Sequence, residues 1–122
     1  MTKERILLGR TGEDLALEKV TMLGYKPVIR NYRCPLGEVD LIARDGDTLV
    51  FIEIKTRKSK PIAYAKEAVD ARKRRQLSKV ALAYMKSNKC HEVKARFDVV
   101  AVSLIGETPQ VELIKNAFDL AY

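Results

Sequence analysis

The sequence is poor in the side chains that usually hold zinc or activate a serine. It has two cysteines, Cys34 and Cys90, one histidine, His91, and no tryptophan. Two cysteines make neither a disulfide framework nor a four-ligand zinc site, and His91 has no second histidine to share a metal. These counts argue against zinc hydrolases and Ser-His-Asp hydrolases. We interpret His91 and both cysteines as structural.

Long apolar runs are also missing. After the charged start of the chain only three apolar residues follow, Ile6, Leu7 and Leu8, whereas a signal-peptide core needs about 7–15. No run approaches the roughly 18 residues that span a bilayer. We therefore expect a cytoplasmic protein with no membrane as its partner.

The chain does have enough apolar residues for a core, and it has an excess of positive charge. Its length of 122 residues predicts a single domain over residues 1–122, and 47% of the residues are hydrophobic. Lys and Arg total 23 against 16 Asp and Glu, which gives a net charge of +7. Such a charge favours an anionic partner without distinguishing DNA from RNA or a membrane surface.

Apolar periodicity and turn signals predict an α/β fold. The elements run in the order helix, three strands, helix, two strands. The second helix lies in a long connection, which should return the fourth strand parallel to the third. The result is a mixed five-stranded sheet with a helix on each face. The predicted segments are helix 4–24, strands 25–33, 38–43 and 49–55, loop 56–66, helix 67–88, strands 96–105 and 111–114, and a short helical tail over 116–122.

The hairpin between the second and third strands sets the geometry of the candidate site. With Asp45-Gly46 as a two-residue turn, Arg44 faces Asp47, Asp40 faces Phe51 and Glu38 faces Glu53. Asp40 and Glu53 are then diagonal neighbours roughly 7–8 Å apart. Alternation predicts a polar face and an apolar face. The polar face carries Glu38, Asp40, Glu53 and Lys55, and the apolar face Val39, Leu41, Ile52 and Ile54.

Converging carboxylates favour a hard divalent cation. Asp40, Glu53 and the backbone carbonyl of Ile54 offer oxygen ligands of the kind that Mg²⁺ prefers, with Mn²⁺ as an alternative. Lys55 would orient water or stabilise negative charge during phosphodiester hydrolysis. The alternative is a solvated strand face on which acids and lysines form ion pairs.

Basic residues are concentrated just after this site. Residues 57–96 contain 13 basic and 3 acidic side chains, so the rest of the chain is net acidic. We predict that this region contacts the nucleic-acid backbone. A solvated face, a lysine stem covering apolar surface at Lys73, and a boundary amide at Gln76 are the alternatives. The predicted contact residues are Arg57, Lys58, Lys60, Arg72, Lys73, Arg75, Gln76 and Lys79.

At these residues the chain resembles the YraN-like family of predicted endonucleases, in the restriction-endonuclease-like PD-(D/E)xK superfamily, which is related to archaeal Holliday-junction resolvases. The resemblance covers essentially the whole chain. Its segments are Gly12-Glu13, Arg30-Asn31-Tyr32-Arg33, residues 37–45 and 50–57, Lys73, Gln76, Leu77, and Phe97-Asp98-Val99-Val100.

The resemblance implies a restriction-endonuclease-like core, Mg²⁺ held by Asp40 and Glu53, Lys55 as the catalytic lysine, and Glu13 as a further acid from the first helix. One departure is that Val39, not proline, precedes Asp40. Some members of such a fold bind without cutting.

We therefore expect a Mg²⁺-dependent endonuclease acting on DNA, with branched DNA as a candidate substrate. A nucleic-acid-binding module of the same fold and a basic scaffold protein are the alternatives. Cutting both strands of a duplex would require two sites, as in a two-fold homodimer. The apolar tail could pack in that interface or on its own sheet; its residues are Ala117, Phe118, Leu120, Ala121 and Tyr122.

Overall fold

A computed structural model describes the backbone of residues 3–65, 69–90 and 94–119, and the side chains of those ranges from residue 12 onward. It contains three helices and five strands in these ranges. In chain order they are α1 (Lys3–Met22), β1 (Lys26–Cys34), β2 (Gly37–Asp45), β3 (Thr48–Arg57), α2 (Ile62–Ala65), α3 (Ala71–Ser87), β4 (Lys94–Ser103) and β5 (Gln110–Phe118).

The five strands form one mixed sheet in the order β1-β2-β3-β4-β5. The pairs β1–β2, β2–β3 and β4–β5 are antiparallel, whereas β3 and β4 are parallel. The parallel pair is the one joined by the long connection that contains α3, since a parallel return needs a crossover. The predicted α/β class and mixed five-stranded sheet are confirmed.

A helix covers each face of the sheet. Ala16 and Val20 of α1 pack on one face, and Leu77, Val80 and Tyr84 of α3 pack on the other. The interior strand β4 is buried from Phe97 to Ser103, as its nearly unbroken apolar run predicted. No helix in the described ranges is long and apolar enough to cross a membrane.

Two predicted segments differ from the structure around the crossover. Residues 56–66 are not simply a loop, because β3 continues to Arg57 through its pairing with β4 and Ile62–Ala65 form a helical turn. The helix predicted from Glu67 begins later, as α3 at Ala71, because the Asp70 carboxylate caps it by accepting the Lys73 N–H at 2.8 Å. Glu67 itself lies outside the described residues.

The predicted helical tail is wrong in its described part. Residues up to Phe118 continue β5, which pairs with β4. Phe118 stacks on Phe97 with ring centroids 4.7 Å apart, so burial of the aromatic ring favours the strand. Phe118 thus packs on its own sheet, whereas Ala117 is exposed, and Leu120, Ala121 and Tyr122 lie outside the described residues.

A buried polar network joins Tyr25, in the connection between α1 and β1, to β2, β4 and β5 at the opposite side of the sheet from α3. The Asp98 side chain is fully buried and accepts hydrogen bonds from the Tyr25 hydroxyl at 2.7 Å, Arg96 Nε at 3.0 Å and the Asn116 N–H at 2.9 Å. Arg96 also contacts Asp45 at 2.7 Å. Burial and the hydrogen bond to Asp98 raise the pKa of Tyr25. Each side chain of this network has a hydrogen-bond or ion-pair partner.

Candidate active site

The β2–β3 hairpin turns at Gly46-Asp47, one residue later than predicted. Asp45 pairs with Thr48, and Gly46 adopts a φ of 62° that favours glycine. Ile42, rather than Asp40, therefore faces Phe51. Each β2 residue therefore pairs with a β3 residue two positions away from the predicted one. Because side chains alternate between faces, a shift of two positions moves no side chain to the other face of the sheet. Continued past Leu41↔Ile52, this register places Asp40 directly opposite Glu53.

Glu38 does not join the site. It pairs with Arg33 of β1, and its carboxylate forms an ion pair with the Arg33 guanidinium at 3.1 Å. The corrected register moves Glu38 beyond the end of the β2–β3 pairing, so its predicted position opposite Glu53 is wrong.

The alternation of faces breaks at Asp40. Val39 packs in the core under α3, whereas Leu41 packs in the core under α1, so their predicted common face is wrong. The β2–β3 pairing stops at Leu41, and Asp40 Oδ2 accepts the backbone N–H of Ile54 at 2.7 Å. A carboxylate thus replaces the backbone carbonyl of a regular ladder. On the β1 side, Asn31 stands between the paired residues Arg30 and Tyr32 with a φ of 53°.

Glu53 is a buried carboxyl beside Asp40. Its side chain is only 12% exposed. Burial, followed by the Asp40 carboxyl as a hydrogen-bond partner and a second negative charge, raises the pKa of Glu53 to about 8, although Lys73 acts in the opposite direction. Lys73 Nζ lies 3.5 Å from Glu53 Oε2. Among the described residues, Oε2 receives no hydrogen bond.

Glu13 reaches the same place from α1. A small hollow is lined by Glu13, Arg30, Asp40 and Ile54 together with Leu17 and Leu41. Glu13 forms an ion pair with Arg30 at 3.6 Å, and its side chain is 43% exposed. The structure therefore brings the predicted acid of the first helix beside Asp40, on the side of the sheet away from Lys73.

The close approach of α1 to β3 requires a glycine. A Cβ built on Gly12 would lie 2.5 Å from Thr56 Oγ1 and 3.1 Å from its Cγ2, far inside van der Waals contact. Gly12 is fixed against β3, and Glu13 follows it directly. A residue without a side chain thus sets the position of an acid in the candidate site.

Lys55 and Ile54 complete the predicted set. Lys55 follows Glu53 by two residues in β3, so strand alternation places it on the same face, and it is partly buried. The Ile54 side chain packs in the core under α1, while its N–H holds Asp40. The structure therefore brings Asp40 beside Glu53 and Glu13 beside Asp40, while Lys55 is placed on the face of Glu53 by strand alternation alone.

The donor set fits a hard divalent cation. Mg²⁺ is commonly held by one or two carboxylates and keeps several waters, and Asp40 and Glu53 offer two adjacent carboxyls. The Oε2 atom of Glu53 is buried with no hydrogen bond from a described residue, which is a position that a cation would satisfy. Within the described side chains, no three His, Cys, Asp or Glu groups form a complete cage. The remaining ligands would therefore be water, phosphate or backbone oxygens.

A groove of about 570 Å³ lies between α3 and the β1–β2 turn. We call it the basic groove. It contains five of the eight predicted nucleic-acid contacts, and its lining residues are Pro35, Leu36, Asp70, Arg72, Lys73, Arg75, Gln76 and Lys79.

The other three predicted contacts lie elsewhere. Arg57 ends β3 and donates to the Thr56 carbonyl at 3.3 Å, Lys58 follows it, and Lys60 stands 4.9 Å from the centre of the Tyr64 ring. None of the three lines the basic groove. The predicted basic surface is thus divided into two parts.

Two contacts of the site were not predicted. Lys73 was assigned to nucleic acid or to apolar cover, and its ion pair with Glu53 was missed; Arg30 was not expected to hold Glu13. The signal for Lys73 was present, because a lysine within an inward apolar stripe indicates a buried acid nearby. No such signal was present for Arg30, because Arg30 lies in β1 and its partner Glu13 in α1, and only the folded structure shows how these two elements pack.

Comparison with known proteins gives a family without a described activity. The model of the uncharacterised protein family UPF0102 matches residues 12–102. A UPF0102 protein of Geobacter sulfurreducens is 47% identical over 117 residues, covering 95% of this chain and 91% of that protein. UPF0102 proteins of Syntrophus aciditrophicus and Caldicellulosiruptor saccharolyticus are each 44% identical, covering 98% and 91% of this chain and 94% and 96% of their own lengths.

Proposed function

The chain belongs to the uncharacterised protein family UPF0102, and from its site we propose a Mg²⁺-dependent endonuclease that hydrolyses phosphodiester bonds in DNA. This proposal includes the YraN-like, PD-(D/E)xK interpretation of the sequence. One observation carries it: Asp40 and Glu53 are adjacent at the point where the β2–β3 pairing ends, with one Glu53 oxygen buried and lacking a hydrogen bond from any described residue.

The site supports a division of roles among its residues. Asp40, fixed by the Ile54 N–H, and Glu53 would hold the cation. When bound, Mg²⁺ would acidify a water molecule and polarise a phosphoryl oxygen. Lys55, on the same face as Glu53, would orient the attacking water and stabilise negative charge that develops on the phosphate. Glu13 would orient water from the α1 side, where it is fixed by Arg30.

The basic groove supports DNA as the substrate class. One of its cations lies beside the acidic pair, because Lys73 belongs to the groove and contacts Glu53. No aromatic side chain of the described ranges lines it, so bases have no stacking surface among these residues and the groove is suited to the phosphate backbone. Recognition through the backbone is consistent with selection of DNA shape, such as a branch, rather than of sequence.

A cleavage assay tests the proposal. Linear and branched DNA are incubated with the full chain and with Asp40→Asn and Glu53→Gln, with Mg²⁺ or with EDTA. We expect cutting only by the unaltered chain with Mg²⁺, and a loss of at least about 100-fold in each variant, since each removes a ligand charge. Equal cutting by all three chains, or no cutting by any of them, would contradict the proposed endonuclease activity.

A second candidate is a nucleic-acid-binding module that does not cut. It is favoured by one observation, which is that Glu53 and Glu13 already have cationic neighbours in Lys73 and Arg30. This candidate would be supported if the chain binds DNA or RNA in a salt-sensitive way and if neither Mg²⁺ nor the substitutions Asp40→Asn and Glu53→Gln change the affinity.

A further inference from the structure

Lys73 belongs to two sites at once. It lines the basic groove, and its Nζ lies 3.5 Å from Glu53 Oε2. The Lys73 side chain is 36% exposed, whereas that of Glu53 is 12% exposed. The ammonium therefore stands at the boundary between the open groove and a buried carboxyl, with both within its reach.

The contact between Lys73 and Glu53 is loose. A charge-assisted hydrogen bond of this type is usually about 2.7–2.9 Å long, and Oε2 receives none from the described residues. Lys73 thus compensates the charge of the Asp40–Glu53 pair without forming a fixed hydrogen bond to Glu53. Its flexible four-carbon stem lets the ammonium move toward the groove at little cost.

A divalent cation would compete with this ammonium. Bound at Asp40 and Glu53, it would place two positive charges beside a third, and like charges repel strongly where little water separates them. The ammonium would have to leave Glu53. The groove into which it would move is the proposed site for phosphates, which are acceptors for it.

We infer that Lys73 couples occupation of the basic groove to cation binding at the Asp40–Glu53 pair. Without a divalent cation, its ammonium compensates the negative charge that Asp40 and Glu53 share; a backbone phosphate in the groove draws the ammonium away and leaves both carboxyls to the cation. By linkage, the phosphate backbone and the cation then strengthen each other's binding. The inference rests on the proposed function, because it takes the pair as the cation site and the groove as the phosphate site.

The first measurement is Mn²⁺ binding to the full chain without DNA, followed by the electron paramagnetic resonance of free Mn²⁺. We expect Lys73→Met to bind Mn²⁺ about tenfold more tightly than the unaltered chain, because no ammonium has to be displaced. Lys79→Met is the matched control. It removes the same charge from the same groove, and we expect a change of less than about twofold. Lys73→Gln serves if Lys73→Met does not fold by circular dichroism.

The second measurement repeats the titration with a short DNA duplex. All chains then also carry Lys55→Met, so that the DNA is not consumed. Any direct contact between a DNA phosphate and the bound Mn²⁺ would strengthen Mn²⁺ binding equally in every variant. We therefore expect DNA to raise the Mn²⁺ affinity of the parent and of Lys79→Met by a larger factor than that of Lys73→Met.

The outcomes separate this inference from the proposed function. If Mn²⁺ binds and Asp40→Asn abolishes the binding, but Lys73→Met and Lys79→Met behave alike with and without DNA, the coupling by Lys73 is overturned and the cation site stands. If Mn²⁺ binding is absent or is unaffected by Asp40→Asn, the proposed function fails and the coupling fails with it.

Discussion

Two buried carboxyls of this protein differ in how they are compensated. Asp98 accepts bonds from a hydroxyl, a guanidinium and a backbone N–H, which leaves little capacity unused. Glu53 has a loose ammonium on one side and another carboxyl on the other. Since an unsatisfied buried polar group costs free energy, the second arrangement is expected only where a ligand is to complete it. The difference in partners supports the proposal that Glu53 is a cation ligand, whereas Asp98 is satisfied within the fold.

Glu53 makes the stability of the metal-free protein depend on pH. Its pKa in the folded chain is about 8, above the ordinary value of 4.5. Between these values the folded chain keeps a proton that the unfolded chain releases. Stability is therefore greatest below the unfolded pKa and falls as pH rises through the folded pKa. We expect a loss of about 2–4 kcal/mol between pH 5 and pH 8, measured by urea unfolding in EDTA.

Glu53→Gln should remove most of that pH dependence, because glutamine is neutral throughout the range. Glu13→Gln is the matched control. It makes the same chemical change at an acid that is 43% exposed, and it should keep the slope of the unaltered chain. A slope that survives Glu53→Gln would show that Glu53 does not hold a proton in the folded protein.

At the scale of elements, the sequence predicted the sheet better than the site. Order, direction and burial of the strands followed from apolar runs and connection lengths, and the parallel β3–β4 pair is confirmed. The turn was misplaced by one residue, because Asp45-Gly46 and Gly46-Asp47 both offer a glycine at a tight bend. The position of Asp40 could not be predicted from alternation, since its carboxylate takes a place in the backbone hydrogen bonding that only the folded strands define.

The packing of α1 on β3 gives a prediction at this scale. Gly12→Ala would place a methyl group 2.5 Å from Thr56 Oγ1, and rotation of the β-branched side chain brings Cγ2 into the same space. Overpacking costs about 1–3 kcal/mol, against a helix-propensity gain of up to about 1 kcal/mol. We expect net destabilisation of about 1–2 kcal/mol, with loss of any DNA cleavage through displacement of Glu13.

The double variant Gly12→Ala, Thr56→Ala tests the cause. Removal of Oγ1 and Cγ2 leaves only the Thr56 Cβ, at 3.3 Å. The double variant should therefore be more stable than the sum of the single changes predicts, in urea unfolding analysed as a double-mutant cycle. If the free-energy changes of the two substitutions are strictly additive, Gly12→Ala does not destabilise the protein through a clash with the Thr56 side chain.

At the scale of the whole molecule, charge is distributed unevenly. The net charge is +7, yet residues 57–96 hold 13 of the 23 basic side chains and only 3 of the 16 acidic ones. Asp40 and Glu53 precede this region in the sequence, and Glu53 contacts Lys73 within it. A single site with the proposed activity would cut one strand, so a homodimer for duplex or branched DNA stays a prediction. Phe118 packs on Phe97 of its own sheet and is not free for that interface.

The charge distribution predicts how DNA binding responds to salt. Of the residues that the structure describes, four cations line the basic groove, Arg72, Lys73, Arg75 and Lys79. Release of about one counterion per phosphate contact gives a slope of log affinity against log salt of about −3 to −4. Lys79→Met should bring the slope closer to zero by about 1, measured by fluorescence anisotropy with labelled duplex DNA in EDTA. Lys86→Met, an equal charge change at an exposed α3 residue outside the groove, should leave it nearly unchanged. Equal effects of the two substitutions would mean that the overall charge, and not the basic groove, attracts the DNA.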